Sequence, residues 1–323
     1  MRALVARAIG EPSDVVALEE RPIPSPGPGQ VRVRVHAAPV NPNDLHIIRG
    51  RYGIAPELPA VLGQECVGVT DAGQRVITVG VLGTWQDYVI VDAGRALPVP
   101  GHLSDSTAAQ LLTNPLTAHL LLSRELDVQP GEWIVQTAAT STVGRLVVQL
   151  AAHLGVRTVN VVRRRSAVKE ILDLGGTEVI CTEDEDLGER LAAIGPVAKA
   201  LDCVGGQLGA DVSRALAPGG TMVVYGALST HRQTDADRLT IPLFARSMIY
   251  ETKTVRGFWL YRWFTTSTPD DILTALARTF ELVDSSVMCI PEARPYPLAA
   301  YAEALAAAEA PGHGGKPLLV LRD

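Results

Sequence analysis

Hydrophobic and polar positions alternate in two different ways along this chain, and the change falls near Asp105. Before it, Val31-Arg32-Val33-Arg34-Val35 alternates apolar and charged residues, the two-residue period of a strand with one face buried. Met1-Arg2-Ala3-Leu4-Val5-Ala6 reads as a first strand. The run from Pro22 to Gln30 (PIPSPGPGQ) reads as turn rather than linker, because strand signals flank it closely. A compact, mostly β unit is expected over the first hundred or so residues.

After Asp105 short apolar runs alternate with helical periodicity. Trp133-Ile134-Val135-Gln136 is a short strand, and Val143, Leu146, Val147, Leu150 and Leu154 then recur on one helical face that Gly155 terminates. Further strands are expected at Arg157–Val162, Val179–Cys181, Ala200–Val204 and Thr221–Tyr225, with helical or turn sequence between them. This βα repetition predicts an α/β fold with a Rossmann-type, doubly wound parallel sheet. Helices near Pro269–Val283 and Leu298–Glu309, then a strand at Pro317–Leu321, predict a return to the first unit.

Bulk composition narrows the function classes. A chain of 323 residues is long for one core, and 47% hydrophobic with 20% charged residues is a globular composition. A net charge of −6 with no long basic block excludes a nucleic-acid partner. No apolar run reaches the roughly 18–20 residues that span a bilayer. The first residues lack the apolar stretch of a signal peptide, so a cytoplasmic location is expected. Cys66, Cys181, Cys203 and Cys289 lie far apart without a CxxC, and each is expected as a small buried hydrophobe.

Two places carry candidate chemistry. Thr137-Ala138-Ala139-Thr140-Ser141-Thr142-Val143-Gly144 follows a strand and opens a helix, where small residues let backbone N–H groups approach a pyrophosphate. Two glycines of the GxGxxG fingerprint are absent, so alone the turn fits tight strand–helix packing equally well. The next strand ends in Arg163-Arg164-Arg165, where an acidic residue would bind a ribose and arginine suits a 2′-phosphate. The alternative is a solvated cationic loop; with no acidic competitor, the triplet favours NADPH over NADH.

With these pieces placed, the whole chain resembles the medium-chain dehydrogenase/reductase superfamily, most closely the mitochondrial-type trans-2-enoyl-CoA or enoyl-ACP (enoyl-thioester) reductases. The residues that carry the likeness are Val40-Asn41-Pro42-Asn43-Asp44, Arg51-Tyr52-Gly53, Pro56–Val61 and Gly83-Thr84-Trp85. Asn114-Pro115-Leu116-Thr117-Ala118, Asn160–Arg163, Cys203–Gly206, Gly219–Val223 and Arg256-Gly257-Phe258-Trp259-Leu260 extend it. The resemblance implies a GroES-like catalytic domain over 1–112, a Rossmann NADPH-binding domain over 113–262 and a return segment over 263–323. It also implies reduction of an activated C=C bond. Hydride passes to the β-carbon of an enoyl thioester and Tyr52 gives a proton to the α-carbon. A phenol, with an unperturbed pKa of about 10, is protonated at pH 7 and so suits an acid.

Other roles follow from the likeness. Asn114 and Thr117 would contact the nicotinamide end; Thr140, Ser141, Thr142, Val143 and Gly144 the pyrophosphate. Tyr225, Gly226 and Ala227 would lie beside the cofactor, Phe258, Trp259 and Leu260 at its reacting end, and Lys316 at a late cofactor contact. Asn41, Trp85 and Trp259 are candidates for the substrate cleft, although Asn41 also reads as a turn cap and both tryptophans as core. No metal is expected: Gly63-Gln64-Glu65 stands where zinc relatives carry Gly-His-Glu, and 41–44 lacks their cysteine. A homodimer is implied. Three departures bear on substrate: Thr142 replaces a glycine, the chain is short between Cys66 and Trp85, and Arg49, Arg51 and Arg262 could take a CoA phosphate or a carboxylate. A quinone or alkenal reductase, a reductase of an unusual biosynthetic enoyl compound and a non-catalytic NADPH-binding partner are the alternatives.

Overall fold

The computed structural model describes residues 1–230, 240–310 and 315–322. Contacts divide the chain into two compact units, residues 1–113 with 290–323 and residues 114–289. Among the described residues no helix is long and apolar enough to cross a membrane.

The first unit is built on two sheets. Arg2–Ala6 lies between Val16–Glu20 and Ala60–Val61 in a small antiparallel sheet. The larger sheet runs Arg294–Pro297, Pro317–Val320, Gln30–Pro39, Val67–Thr70, Arg75–Thr78 and Ala96–Pro98, with Tyr88–Asp92 also on Gln30–Pro39. In Gln30–Pro39 the alternation found in sequence is realised: Val33 and Val35 are buried at 0% and 1% exposure, while Arg34 is exposed. Their core gathers Leu4, Ile48, Trp85, Tyr296 and Leu319. The closing strand therefore completes the sheet that the first hundred residues begin.

The second unit holds six parallel strands in the order Glu178–Cys181, Arg157–Val162, Trp133–Gln136, Val197–Asp202, Leu216–Val224, Thr254–Gly257. Helices cover both faces, and the two-residue strand period sorts side chains between them. Val159, Val161 and Ile180 pack with Leu187, Leu191 and Val212 of the helices Leu187–Ile194 and Gly206–Ala215. Val162, Val179 and Cys181 face the other way, toward Val148 and Ile171 of Thr142–His153 and Val168–Asp173.

One polar seam crosses this apolar sheet. Gln136 and Asn160, paired in register, are both fully buried. Gln136 Nε2 donates to Asn160 Oδ1 (2.7 Å) and to the Gly144 carbonyl (3.0 Å); Asn160 Nδ2 donates to Thr158 Oγ1 (2.8 Å) and the Glu178 carbonyl (3.0 Å). The seam ties three neighbouring strands to the start of the helix that follows Gln136.

The structure departs from the sequence reading in several places. The second unit continues to Cys289, so the helix Pro269–Asp284 belongs to it rather than to the return segment expected from 263. Thr279 Oγ1 is hydrogen-bonded to His119 Nδ1 (2.9 Å) and the Cys289 N–H donates to Gln149 Oε1 (2.6 Å). Thr254–Gly257 is a strand that its short, charged sequence did not announce. Cys289 is exposed, unlike the other three cysteines.

Replacing Gln136 by methionine keeps the volume but leaves the Asn160 oxygen and the Gly144 carbonyl without their donor. Unpaired buried groups cost about 1–3 kcal/mol each. Urea unfolding of Gln136→Met is expected to show a midpoint below the parent's with unchanged slope; an unaltered midpoint would contradict the role of the seam.

Candidate active site

Tyr52 lies in the first unit, on the connection from the helix Pro42–Ile48 to the strand Ala60–Val61. It is half-buried, and its hydroxyl accepts from Asn43 Nδ2 at 3.5 Å. Pro42, at the first helical position, fixes the helix start, and Asp44 Oδ2 reaches back to the Asn41 N–H (2.8 Å). This local geometry places Asn43 and Asp44 on the first turn.

Around that turn lies a buried polar network. Asn41 Nδ2 donates to Glu65 Oε1 (2.8 Å), the Thr113 N–H donates to Glu65 Oε2 (2.9 Å), and Gln64 Nε2 donates to Asp44 Oδ1 (2.9 Å). The Lys316 ammonium donates to Asn41 Oδ1. Asn41, Asp44 and Glu65 are exposed by only 1–2% and Lys316 by 8%. Burial pushes the Asp44 carboxyl up to about 7, against the lowering by its Gln64 and Asn41 hydrogen bonds. Burial also holds the Lys316 amine below its ordinary value, although Glu65 and Asp44 pull it upward.

This network corrects three expectations. Asn41 holds Glu65 and takes the lysine rather than facing a substrate. Lys316, expected at the cofactor, is spent on Asn41. Trp85 is fully buried in the core with its Nε1–H donating to the Pro39 carbonyl (3.1 Å), so it does not line a cleft. Arg49 is likewise engaged, with Glu11 (2.6 Å) and Glu309, and Arg51 stands 3.9 Å from Glu11. Arg262 is exposed.

The same residues are a poor fit to zinc. Gln64 gives its amide to Asp44, both Glu65 oxygens already accept donors, and an ammonium lies among them. Among the described residues no group of three His, Cys, Asp or Glu side chains is placed to hold a metal ion. Zinc favours thiolate and imidazole ligands that this donor set lacks.

In the second unit the turn after Gln136 meets the steric demand of a nucleotide site. A Cβ at Gly144 would lie 2.6 Å from the Ala138 carbonyl and 2.8 Å from the Ala139 Cα, so only glycine lets the helix approach the strand end. Ser141 caps the 12-residue helix, accepting from the Gly144 N–H (3.0 Å), and Thr140, Ser141, Thr142 and Val143 surround that end half-buried. Gly226 packs tightly on Cys203, to whose Cβ an added Cβ would come within 3.1 Å. Tyr225 lies beside Cys203 and Ser141, and its buried hydroxyl makes no hydrogen bond of good geometry. Burial raises that phenol well above its ordinary value. Asn114 keeps a buried, unpartnered Nδ2 near the start of the helix Thr113–Leu120, on which Thr117 is buried too. Ala227 follows Gly226 out of the strand. Phe258, Trp259 and Leu260 are half-buried, with the Trp259 ring 5.2 Å from Tyr261.

The arginine triplet divides. Arg165 Nε donates to Asp184 Oδ2 (2.7 Å), which removes it from the candidate phosphate ligands, whereas Arg163 and Arg164 have no carboxylate partner among the described residues. The sequence reading also missed Asp202. This fully buried carboxylate accepts from Thr137 Oγ1 (2.6 Å) and from the Val204 and Gly205 N–H groups (3.0 Å each). It thereby locks the turn beyond its strand to the start of the candidate phosphate turn. Its signal was an Asp closing a strand before Cys203-Val204-Gly205-Gly206, a side-chain-to-backbone turn pattern.

The Asp44 shift has a sign that can be measured. Its folded value lies above the unfolded one, so between about pH 4 and 7 the native state holds the extra proton. Stability attributable to Asp44 is fully present below that window and falls as pH rises through it. Relative to Asp44→Asn, the parent should lose stability from pH 4 to 7 in urea titrations, with no further relative change just above 7. A parallel pH dependence of the two proteins would contradict a raised Asp44.

The Alcohol dehydrogenase GroES-like domain family matches residues 27–101, and the Zinc-binding dehydrogenase family matches residues 142–278. The mitochondrial enoyl-[acyl-carrier-protein] reductase of Homo sapiens is 34% identical over 340 aligned positions, covering 99% of this chain and 89% of that protein. A Bacillus thuringiensis protein described as an NADPH:quinone reductase has a similar structure, with a TM-score of 0.92 at 27% identity over 99% of both chains. The Escherichia coli quinone oxidoreductase complexed with NADPH gives 0.88 at 25% identity over 99% of this chain and 100% of that one. The cytoplasmic location expected from sequence is withdrawn, because such relatives as the human enzyme are mitochondrial proteins. Matching over nearly its whole length, the chain belongs to the medium-chain dehydrogenase/reductase superfamily, among the mitochondrial-type enoyl-thioester reductases.

Proposed function

We propose that this protein is a zinc-independent, NADPH-dependent reductase of an activated C=C bond, acting on a trans-2-enoyl thioester of CoA or acyl carrier protein. The observation that carries the reading is Tyr52. It is a half-buried phenol with an amide donor on its oxygen, in a chain similar throughout to enoyl-[acyl-carrier-protein] reductases. Quinone reductases of the same fold, solved with NADPH, support the cofactor.

The residues fit that cofactor. The N-terminus of Thr142–His153, with Thr140, Ser141, Val143 and Gly144, offers backbone N–H groups and the positive helix end to a pyrophosphate. Arg163 and Arg164, without carboxylate partners, hold the 2′-phosphate as charge-assisted donors. The unpartnered Asn114 amide and Thr117 meet the nicotinamide end, and Tyr225–Ala227 and Phe258–Leu260 flank the cofactor. NADPH, when bound, supplies the hydride that adds to the β-carbon. Tyr52 O–H gives its proton to the α-carbon, and Asn43 Nδ2, already donating to that oxygen, stabilises the phenolate left behind. The chain acts as a homodimer in this reading, which the outermost strand Thr254–Gly257 supports by being paired on one side only among the described residues.

Two outcomes test the assignment. Tyr52→Phe should lower kcat for crotonyl-CoA reduction by about 10²–10⁴-fold, the usual contribution of a general acid, with NADPH binding close to the parent's. Retention of full activity would remove Tyr52 from the chemistry. Arg163→Glu combined with Arg164→Glu should raise KM for NADPH by about 10–100-fold, as expected for loss of charged hydrogen bonds, while NADH is little affected.

The similarity to quinone reductases favours one alternative, reduction of a quinone or alkenal. That reaction needs the cofactor site but no donor tyrosine, so a Tyr52→Phe protein with unimpaired quinone turnover would select it.

A further inference from the structure

The first unit contains a cavity of about 300 Å³ that the assignments above leave unused. Its walls include Ile47, Pro56 and Leu62, and its polar lining includes Asp44, Gln64 and Gln86. The cavity borders the Tyr52 neighbourhood through two covalent links. Pro56 belongs to the connection that carries Tyr52, and Asp44 directly follows Asn43, the donor to the Tyr52 hydroxyl. Consecutive Cα atoms are about 3.8 Å apart, so the cavity is within reach of a chain attached to a group at Tyr52.

The polar lining is one-sided. Gln64 Nε2 is spent on Asp44 Oδ1 and Gln86 Nε2 on the Gly83 carbonyl (2.6 Å), which turns both amides into acceptors. Neither amide oxygen has a donor among the described residues. Asp44 adds an acceptor carboxyl, and no lysine or arginine lines the space. A plain alkyl chain would leave these oxygens unpaired and cut off from water, and a carboxylate tail would meet only acceptors. A hydroxyl satisfies them.

We infer that this cavity is an acyl-chain subsite selective for enoyl thioesters whose chain carries a hydroxyl group, read by the amide oxygens of Gln64 and Gln86. The inference rests on the enoyl-thioester reading, whose failure is separable from its own. Two measurements decide it. In the first, the purified protein with NADPH is given ω-hydroxylated 2-enoyl-CoA esters, plain alkyl esters of equal length and ω-carboxylated ones. The hydroxylated ester of fitting length should exceed the alkyl ester in kcat/KM by about 3–10-fold, the worth of one neutral hydrogen bond, with the carboxylated ester poorest. In the second, the saturated hydroxyl and alkyl acyl-CoA esters are titrated calorimetrically into the protein with NADP⁺, which needs no turnover. The same preference should appear, and both Gln64→Leu and Gln86→Leu should diminish it. Gln86→Leu leaves the Asp44 hydrogen bonds intact and so guards against a purely structural effect. Equal or weaker binding of the hydroxylated ester overturns the subsite whether or not any ester is reduced. Hydroxyl-selective binding without reduction of any enoyl ester overturns the proposed reaction and leaves the subsite standing.

Discussion

Glu65 sits at 1% exposure, and its two oxygens draw donors from opposite directions along the chain, the Asn41 amide and the Thr113 N–H. Lys316 reaches the same place from the C-terminal return and lands on Asn41. A buried carboxylate without partners costs several kcal/mol, so once the core buries Glu65 these distant segments are obliged to meet. Asn41 is then fixed at the start of its helix, Asn43 and Asp44 take their places on the first turn, and the Tyr52 connection departs from a defined point. The position of the candidate acid is thus a consequence of charge satisfaction elsewhere in the unit.

The second unit solves a parallel problem with a different carboxylate. Asp202 closes its strand fully buried, and Thr137 with two backbone N–H groups satisfies it. Two turns at the same end of the parallel sheet are joined by this one side chain. Gly144 then sets how near the helix comes, because any Cβ there would collide with the Ala138 carbonyl. Three small side chains replace the glycines of the usual fingerprint at little cost, since the close contact falls at Gly144 alone. The turn is therefore tighter than its sequence suggests.

Regular elements were legible because their cause is local. Val31–Val35, Trp133–Gln136 and the apolar face from Val143 to Leu150 each declare one period and one buried side, and the structure has a strand or helix at each. Thr254–Gly257 escaped because it is an outer strand whose side chains, Thr254 and Gly257 among them, are mostly not buried. The extent of the second unit escaped too, because the contacts of Thr279 and Cys289 join residues some 140–160 positions apart. Cys289 looked like its three buried counterparts for the same reason: a cysteine carries no local sign of exposure.

Site residues divide along the same line. The kind of chemistry was written in residue types at fixed spacing: small residues opening a helix, arginines at a strand tip, a tyrosine beside Asn-Pro-Asn-Asp. Which of those groups remain available was not. Asp184 takes Arg165 and leaves Arg163 and Arg164; Asn41 takes Lys316; Glu11 and Glu309 take Arg49; the core takes Trp85. By itself the sequence determined two units, a parallel nucleotide-type sheet and the identity of the candidate acid, since local periodicity and residue chemistry suffice for these. Only the tertiary structure decided which charges are already paired and which are left for a ligand, because a charged group far along the chain becomes a partner only when folding brings it within hydrogen-bonding distance.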